Sequence, residues 1–272
     1  MSETVASLPM YDWPEVRAEV DARWARLREN LRRRGVGAPE KLARCNADLP
    51  AVPGGIRDAS DAVVAPDPAT LPPDRLDHHA LWLHPALLLA QTCWGPMSLG
   101  MGGHVQVVGQ PDYSGFEGGQ ASLYSSAIIM RRHAGSMPVA APLDGSSSLP
   151  VDLLRGKRFV YNSADSMSGI LALTRDLAGM GETLDIFSER GESGGHRASV
   201  IAVAEGRADV AAIDCRSWAM ARRFEPAAPA VQVVGWTARR KGLPFITART
   251  TPAETVLALR EALASAGMLA AG

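Results

Sequence analysis

The segment GGHRASVIAVAEGRADVAAIDCRSW, residues 194–218, limits what this chain can fold into more than any other stretch. A glycine-rich turn opens it, helical periodicity follows over 198–205, Gly206 is suited to a helix C-cap, and 208–213 reads as a buried strand. A short helix feeding directly into an apolar strand is the compact grammar of a βαβ unit. The same alternation recurs along the chain. A strand over 4–10 precedes a helix whose apolar face is Val16, Val20, Trp24, Leu27 and Leu31, ending near Gly35. Asp12 and Glu15 around Pro14 resemble a capping-box start for it. Further strands are expected around 87–92 and in HVQVVG, LYSSAII, GKRFVYN, VQVVGWT and LPFITA, with a closing helix in TPAETVLALREALASAG. This pattern predicts an α/β fold in which parallel sheet is covered by helices.

Length and charge narrow the function. The 272 residues suffice for one large domain or two lobes of roughly 100 to 150 residues each. A net charge of -1 with 21% charged residues argues against a nucleic-acid partner. Cys45, Cys93 and Cys215 lie far apart without CxxC spacing, so neither a disulfide framework nor a zinc site is expected, and buried reduced thiols are. The stretch 48–73, with PDPATLPPD at its extreme, reads as a long irregular surface loop. The N-terminus has neither the basic nor the apolar region of an export signal, and no segment offers the roughly 18 uninterrupted apolar residues of a membrane span. The sequence as it stands is therefore expected to be cytoplasmic, or periplasmic if a signal precedes it, with no membrane insertion.

The stretch YNSADSMSGILAL, residues 161–173, crowds Asn, Ser, Asp and Gly ahead of an apolar helical run. One hydroxyl, that of Ser166, is explained as a helix N-cap. The others, with Ser163, Asp165, Ser168 and Gly169, place donors and an open backbone at a helix start, where unpaired N–H groups favour an anion. His196 begins the helix that leads to the strand ending at Asp214, so both are expected beyond the carboxyl ends of strands, where ligands of open α/β sheets bind. Asp214 equally suits an N-cap for 216–220. Tyr11, Trp94, Tyr113 and Tyr124 fall at strand ends or turns and are candidate ligand contacts. The chain contains no GxxxxGK[ST] or HExxH motif, and His78-His79 beside Asp77 reads as exposed rather than metal-binding. No cofactor is called for.

The pieces LLAQTCWGP, LYSSAII, YNSADSMSG, GGHRASVIAVAEGRADVAAID and GLPFIT together resemble the phosphate/phosphonate-type solute-binding proteins of ABC transporters, across nearly the whole chain. The resemblance implies a two-lobed type II periplasmic-binding-protein fold, with mixed sheets flanked by helices and a hinge of two crossing strands. Residues 1–122 with 237–272 would form lobe 1, and 123–236 an inserted lobe 2. It also implies closure over a small anionic or zwitterionic ligand, a phosphonate, phosphate ester or similar oxyanion, with an ABC permease as partner or with intracellular sensing as the output. Ser166 and Ser168 match the family's oxyanion-holding serines, His196 its histidine, Asp214 its acidic residue and Tyr124 its hinge-side tyrosine, with Tyr11 matching an aromatic at the first strand end. Met167 departs from the pattern where another hydroxyl residue is common. The alternative is an enzyme on the same scaffold, using His196 and Asp214 as acid-base groups on a bound anion.

Overall fold

The computed structural model describes residues 4–270. They form two compact units: the chain up to Pro111 with Leu243–Ala270, and Asp112–Gly242. The first unit opens with strand β1 (Val5–Ser7), and helix α1 (Arg17–Arg33) follows a 3-10 turn at Pro14–Val16. No side chain caps α1, so the expected capping box does not form. Asp12 is drawn away by Arg44, whose Nε and Nη2 donate to its two carboxylate oxygens at 2.5 and 3.3 Å. A charge-assisted fork of this kind outweighs a single cap bond. At the other end Gly35 takes φ +77°, and the N–H groups of Gly35 and Val36 reach the carbonyls of Arg32 and Leu31, a Schellman closure.

The proline-rich stretch is more ordered than its composition suggests. Strands β2 (Ile56–Arg57) and β3 (Val63–Ala65) pair antiparallel within it, burying Ile56 and Ala65 against Ala80. Asn46 pins its far end, donating to the Pro72 carbonyl at 2.9 Å and accepting from the Asp77 N–H at 2.8 Å. These contacts come from outside the stretch, which is why local composition reads as loop. Helix α2 (His78–Trp82) is capped by Asp77, and His78 stacks exposed on Trp82. Among the described residues no group of three or more His, Cys, Asp or Glu could hold a metal ion. Strand β4 (Leu87–Gln91), helix α3 (Trp94–Ser98) and strand β5 (Val105–Gly109) complete this pass.

The second unit runs through β6 (Leu123–Tyr124), β7 (Ser126–Arg131), α4 (Val151–Leu154), β8 (Arg158–Tyr161), a π turn at Met167–Leu171, α5 (Ala172–Gly179) and β9 (Glu189–Glu192). It continues as α6 (His196–Ala204), β10 (Val210–Asp214), α7 (Cys215–Phe224), β11 (Val231–Trp236) and β12 (Arg240–Lys241). Its five-stranded sheet has the order β11-β7-β10-β8-β9. Strand β8 lies parallel to both β9 and β10, as the βαβ grammar predicts, but β7 runs antiparallel to β10 and β11. The sheet is thus mixed rather than parallel, because β7 enters from the end at which β10 finishes and Ser126 pairs with Asp214. Ile128, Phe159, Leu173, Leu177 and Val210 form the core between one sheet face and α5.

The chain then returns to the first unit as β13 (Phe245–Ala248) and α8 (Ala253–Ser265). The order there is β1-β4-β13-β5, with β1 parallel to β4 and β13 antiparallel to β4 and β5. Trp24, Leu27 and Leu31 of α1 pack with Leu259, Ala262 and Leu263 of α8 in one cluster. Each large side chain so buried contributes about 1.5 to 3 kcal/mol, so the two ends of the chain hold one unit together. Among the described residues no helix is long and apolar enough to cross a membrane.

Candidate anion-binding site

In the second unit, one end of the sheet gathers the chain segments that follow β8, β9 and β10, because those strands are parallel. The segment after β8 closes on itself first. Ser163 Oγ donates to Asp165 at 2.7 Å, and Ser166, extended at φ -70° and ψ 123°, caps the next turn by accepting from Gly169 N–H at 3.0 Å. The turn it caps is a π turn, in which the Leu171 N–H reaches back to the Ser166 carbonyl at 3.1 Å. Such a turn is wider than an α turn and is common at functional sites. Met167 is buried and takes an Arg175 N–H on its sulfur at 3.5 Å, so this departure from the hydroxyl pattern is spent on packing.

Ser168 is the hydroxyl not used as a cap. It is 4% exposed, and its Oγ stands 2.9 Å from His196 Nε2. The same nitrogen is 3.3 Å from Asp214 Oδ2, while Asp214 Oδ1 accepts from the Arg216 and Ser217 N–H groups at 3.0 and 2.9 Å. Asp214 therefore ends β10, caps α7 and faces the imidazole at once. Burial holds the His196 pKa below its ordinary value, against the pull of Asp214 and the Ala212 carbonyl toward the charged ring. In the tautomer that presents Nε2–H to the carboxylate, Ser168 Oγ accepts from that same N–H and its own proton is left for a further acceptor; in the other tautomer Ser168 Oγ donates to Nε2.

Serine, histidine and aspartate together invite comparison with a hydrolytic triad, but the geometry differs. A triad needs the acid on one ring nitrogen and the hydroxyl on the other. Here both partners sit on Nε2, so the ring cannot take a proton from Ser168 while Asp214 steadies its far side.

Gly169 also makes room for a neighbour. A Cβ there would run into Asn162 Oδ1, so the missing side chain makes room for Asn162. Asn162 Oδ1 is itself buried without a hydrogen-bond partner, a residue that sequence reasoning passed over although it stands within the quoted stretch.

Of the aromatic candidates, Tyr124 lies just before β7, near the Ser126–Asp214 pair, and its ring stacks on Tyr113 at 5.3 Å. Tyr113 is fully buried in a seat left by Gly242, where a Cβ would strike its ring. Tyr11 and Trp94 belong to the first unit, following β1 and β4, with Tyr11 buried and Trp94 partly so. Between β4 and Trp94, Thr92 is wholly buried with its Oγ1 unpaired, a second candidate missed because a lone Thr carries no motif. Cys93 and Cys215 are buried and Cys45 is partly exposed, and none of the three is in a disulfide.

The profile of the family described as "ABC transporter, phosphonate, periplasmic substrate-binding protein" matches residues 103–271. Among solved structures, PhnD1 from Prochlorococcus marinus in complex with methylphosphonate is similar, with 14% identity over 97% of this chain and 83% of that one, at a TM-score of 0.61. A Xanthomonas citri protein bound to ATP shows 16% identity over 97% of this chain and 82% of that one, at 0.57. A binding-protein component of an ABC phosphonate transporter from Pseudomonas aeruginosa shows 14% identity over 95% of this chain and 73% of that one, at 0.58. No curated protein sequence matches the chain. At such identities these structures show the fold, which is of the type II periplasmic-binding-protein kind, with mixed sheets flanked by helices.

Proposed function

The chain belongs to the family of periplasmic substrate-binding proteins of phosphonate ABC transporters, and from that membership we propose that it binds a small phosphonate or related oxyanion for delivery to an ABC permease. The observation that carries the proposal is the buried Ser168 hydroxyl, backed by His196 and Asp214 beside a π turn capped by Ser166. Ser166, Ser168, the Gly169 turn and His196 are the proposed anion contacts. Tyr11, Trp94 and Tyr124 are proposed to meet the organic part, with Tyr113 backing Tyr124. Asp214 acts from behind the anion contact, since its two oxygens already serve α7 and His196. The family's periplasmic setting is proposed for this chain as well.

The neighbour solved with methylphosphonate supports the ligand class, and the one solved with ATP is a reason to keep phosphate esters in a screen. Methylphosphonate, aminoalkylphosphonates, inorganic phosphate, phosphate esters and sulfate should be compared by thermal shift. A ligand at about 100 times its Kd adds roughly 2.7 kcal/mol to stability, which is several degrees in Tm for a protein of this size. Calorimetry on Ser168→Ala should then show about tenfold weaker binding, since a hydrogen bond to a charged group is worth about 1.5 to 3 kcal/mol. If Ser168→Ala binds a true ligand as well as the parent, these hydroxyls are structural and the proposal is wrong.

A further inference from the structure

We infer that the second unit carries a separate binding site for a compact polyphosphate, at the end of its sheet opposite Ser168. In sequence the site is Arg131-Arg132-His133, three residues able to carry positive charge, set where β7 leaves the sheet. With Ser136 and Pro229 they line a cleft of about 440 Å³. Small-molecule sites span roughly 300 to 1,000 Å³.

Hydrogen bonds hold the walls of this cleft. Ser136 N–H and Oγ both donate to the His133 carbonyl, at 3.2 and 2.6 Å, which closes the 133–136 turn. Gln232, 5% exposed, pins that turn by donating from Nε2 to Ser136 Oγ at 2.6 Å. On the other side Arg132 N–H donates to the Ala230 carbonyl at 2.9 Å, tying the turn to the 3-10 segment Ala228–Ala230. Both walls thus grow from adjacent antiparallel strands, β7 and β11, with Arg131 paired to Val231.

Charge decides what the cleft takes. Other described arginines of the second unit pair with acids, as Arg155 does with Glu182 and Arg240 with Asp176, or lie over rings, as Arg216 does over Phe116. Arg131, Arg132 and His133 are exposed, and among the described residues neither guanidinium nor the His133 ring has a hydrogen-bond or ion-pair partner. Acids of the adjoining segments are engaged elsewhere: Glu205 with Arg207 at 2.8 Å, Asp209 with Arg158 at 2.8 Å and Glu225 with Arg197 at 2.7 Å. Positive charges crowded in this way repel one another, and a concave wall focuses their field on an entering anion. Guanidinium forks match phosphoryl oxygens two at a time. A lone phosphate would leave most of the cleft to water, whereas linked phosphoryl groups fill it and reach both arginines.

This site is independent of the one at Ser168. Strand β7 runs 6 residues from Ser126, which pairs with Asp214, to Arg131. That is about 17 Å at roughly 3.4 Å per residue, beyond the Debye length of about 8 Å at physiological ionic strength.

Titration calorimetry with sodium tripolyphosphate at about pH 7.5 and low salt tests the inference. The parent should bind one tripolyphosphate, and the double variant Arg131→Gln, Arg132→Gln should bind at least about tenfold more weakly, since hydrogen bonds to charged groups are being removed. Ser168→Ala should stay within about twofold of the parent, because distant sites act independently. Arg26→Gln with Arg33→Gln removes the same charge from the exposed surface of α1, in the other unit, and should likewise stay within about twofold. In histidine NMR spectra of the parent, the His133 ring signals, identified by their loss in His133→Gln, should shift on saturation, a readout that needs no arginine variant to fold. Absence of binding overturns the inference. So does an equal loss in both arginine pairs, which means diffuse attraction only, or a tenfold loss in Ser168→Ala, which puts tripolyphosphate in the other site.

Discussion

At the scale of single residues, Gly169 and Asn162 illustrate how a side chain can be required by its absence. The room beside Gly169 is filled by the Asn162 amide, so Gly169→Ala must push Asn162 out of its buried position. Overpacking of this kind costs about 1 to 3 kcal/mol, and ligand affinity should fall with it because the displaced amide abuts the turn that Ser166 caps. Urea unfolding of Gly169→Ala beside the parent checks the first part, and an unchanged midpoint would show that Asn162 simply rotates aside. The pair also marks a limit of sequence reading. Gly169 was legible as special from its place in S-M-S-G, whereas its reason depends on where a residue seven positions earlier points.

At the scale of elements, helix boundaries followed local chemistry wherever the partner group was local. Gly35 ends α1 at φ +77° with nothing within 4 Å of an added Cβ, so the cost of Gly35→Ala is backbone strain alone. That cost is roughly 1 to 2 kcal/mol, measurable by chemical denaturation with no effect on ligand affinity, and a destabilisation under about 0.3 kcal/mol would refute the strain account. The start of α1 behaved otherwise. Asp12 had the sequence context of a cap, yet Arg44, 32 residues away, claimed its carboxylate. Likewise 48–73 had the composition of a loop, but Asn46 and the apolar seat around Ala80 turned part of it into a small antiparallel ribbon.

At the scale of the molecule, each compact unit carries a histidine whose pKa desolvation lowers. In the first unit His84 accepts from Ala86 N–H at 3.1 Å on Nδ1 and contacts the Pro50 carbonyl at 3.0 Å through Nε2, so an added proton would break the Nδ1 bond. Burial lowers its pKa, opposed by the Pro50 carbonyl and Asp67. In the second unit burial lowers that of His196. With both folded values below the unfolded 6.5, stability is fully present above about pH 7. It falls as pH drops below about 6.5, where the unfolded chain binds protons that the native state refuses. Denaturation midpoints at pH 7.5, 6.5 and 5.5 without ligand should decline in that order. A midpoint that stays flat or rises toward pH 5.5 would contradict the neutral assignment of both rings.

The sequence by itself determined the α/β alternation, the family resemblance, the cap at Ser166, the C-cap at Gly35 and the end of β10 at Asp214, because each depends on periodicity or on groups a few residues apart. Only the tertiary structure decided the rest. The direction of β7 and β13 makes the sheets mixed, and the stacking of Tyr113 on Tyr124 depends on room made by Gly242. Ser168, His196 and Asp214 converge on one nitrogen although 28 residues separate the first two. Local propensity sets where an element begins and ends. Which side chains meet is set by strand order and register, which pair residues remote in the chain and which no short window encodes.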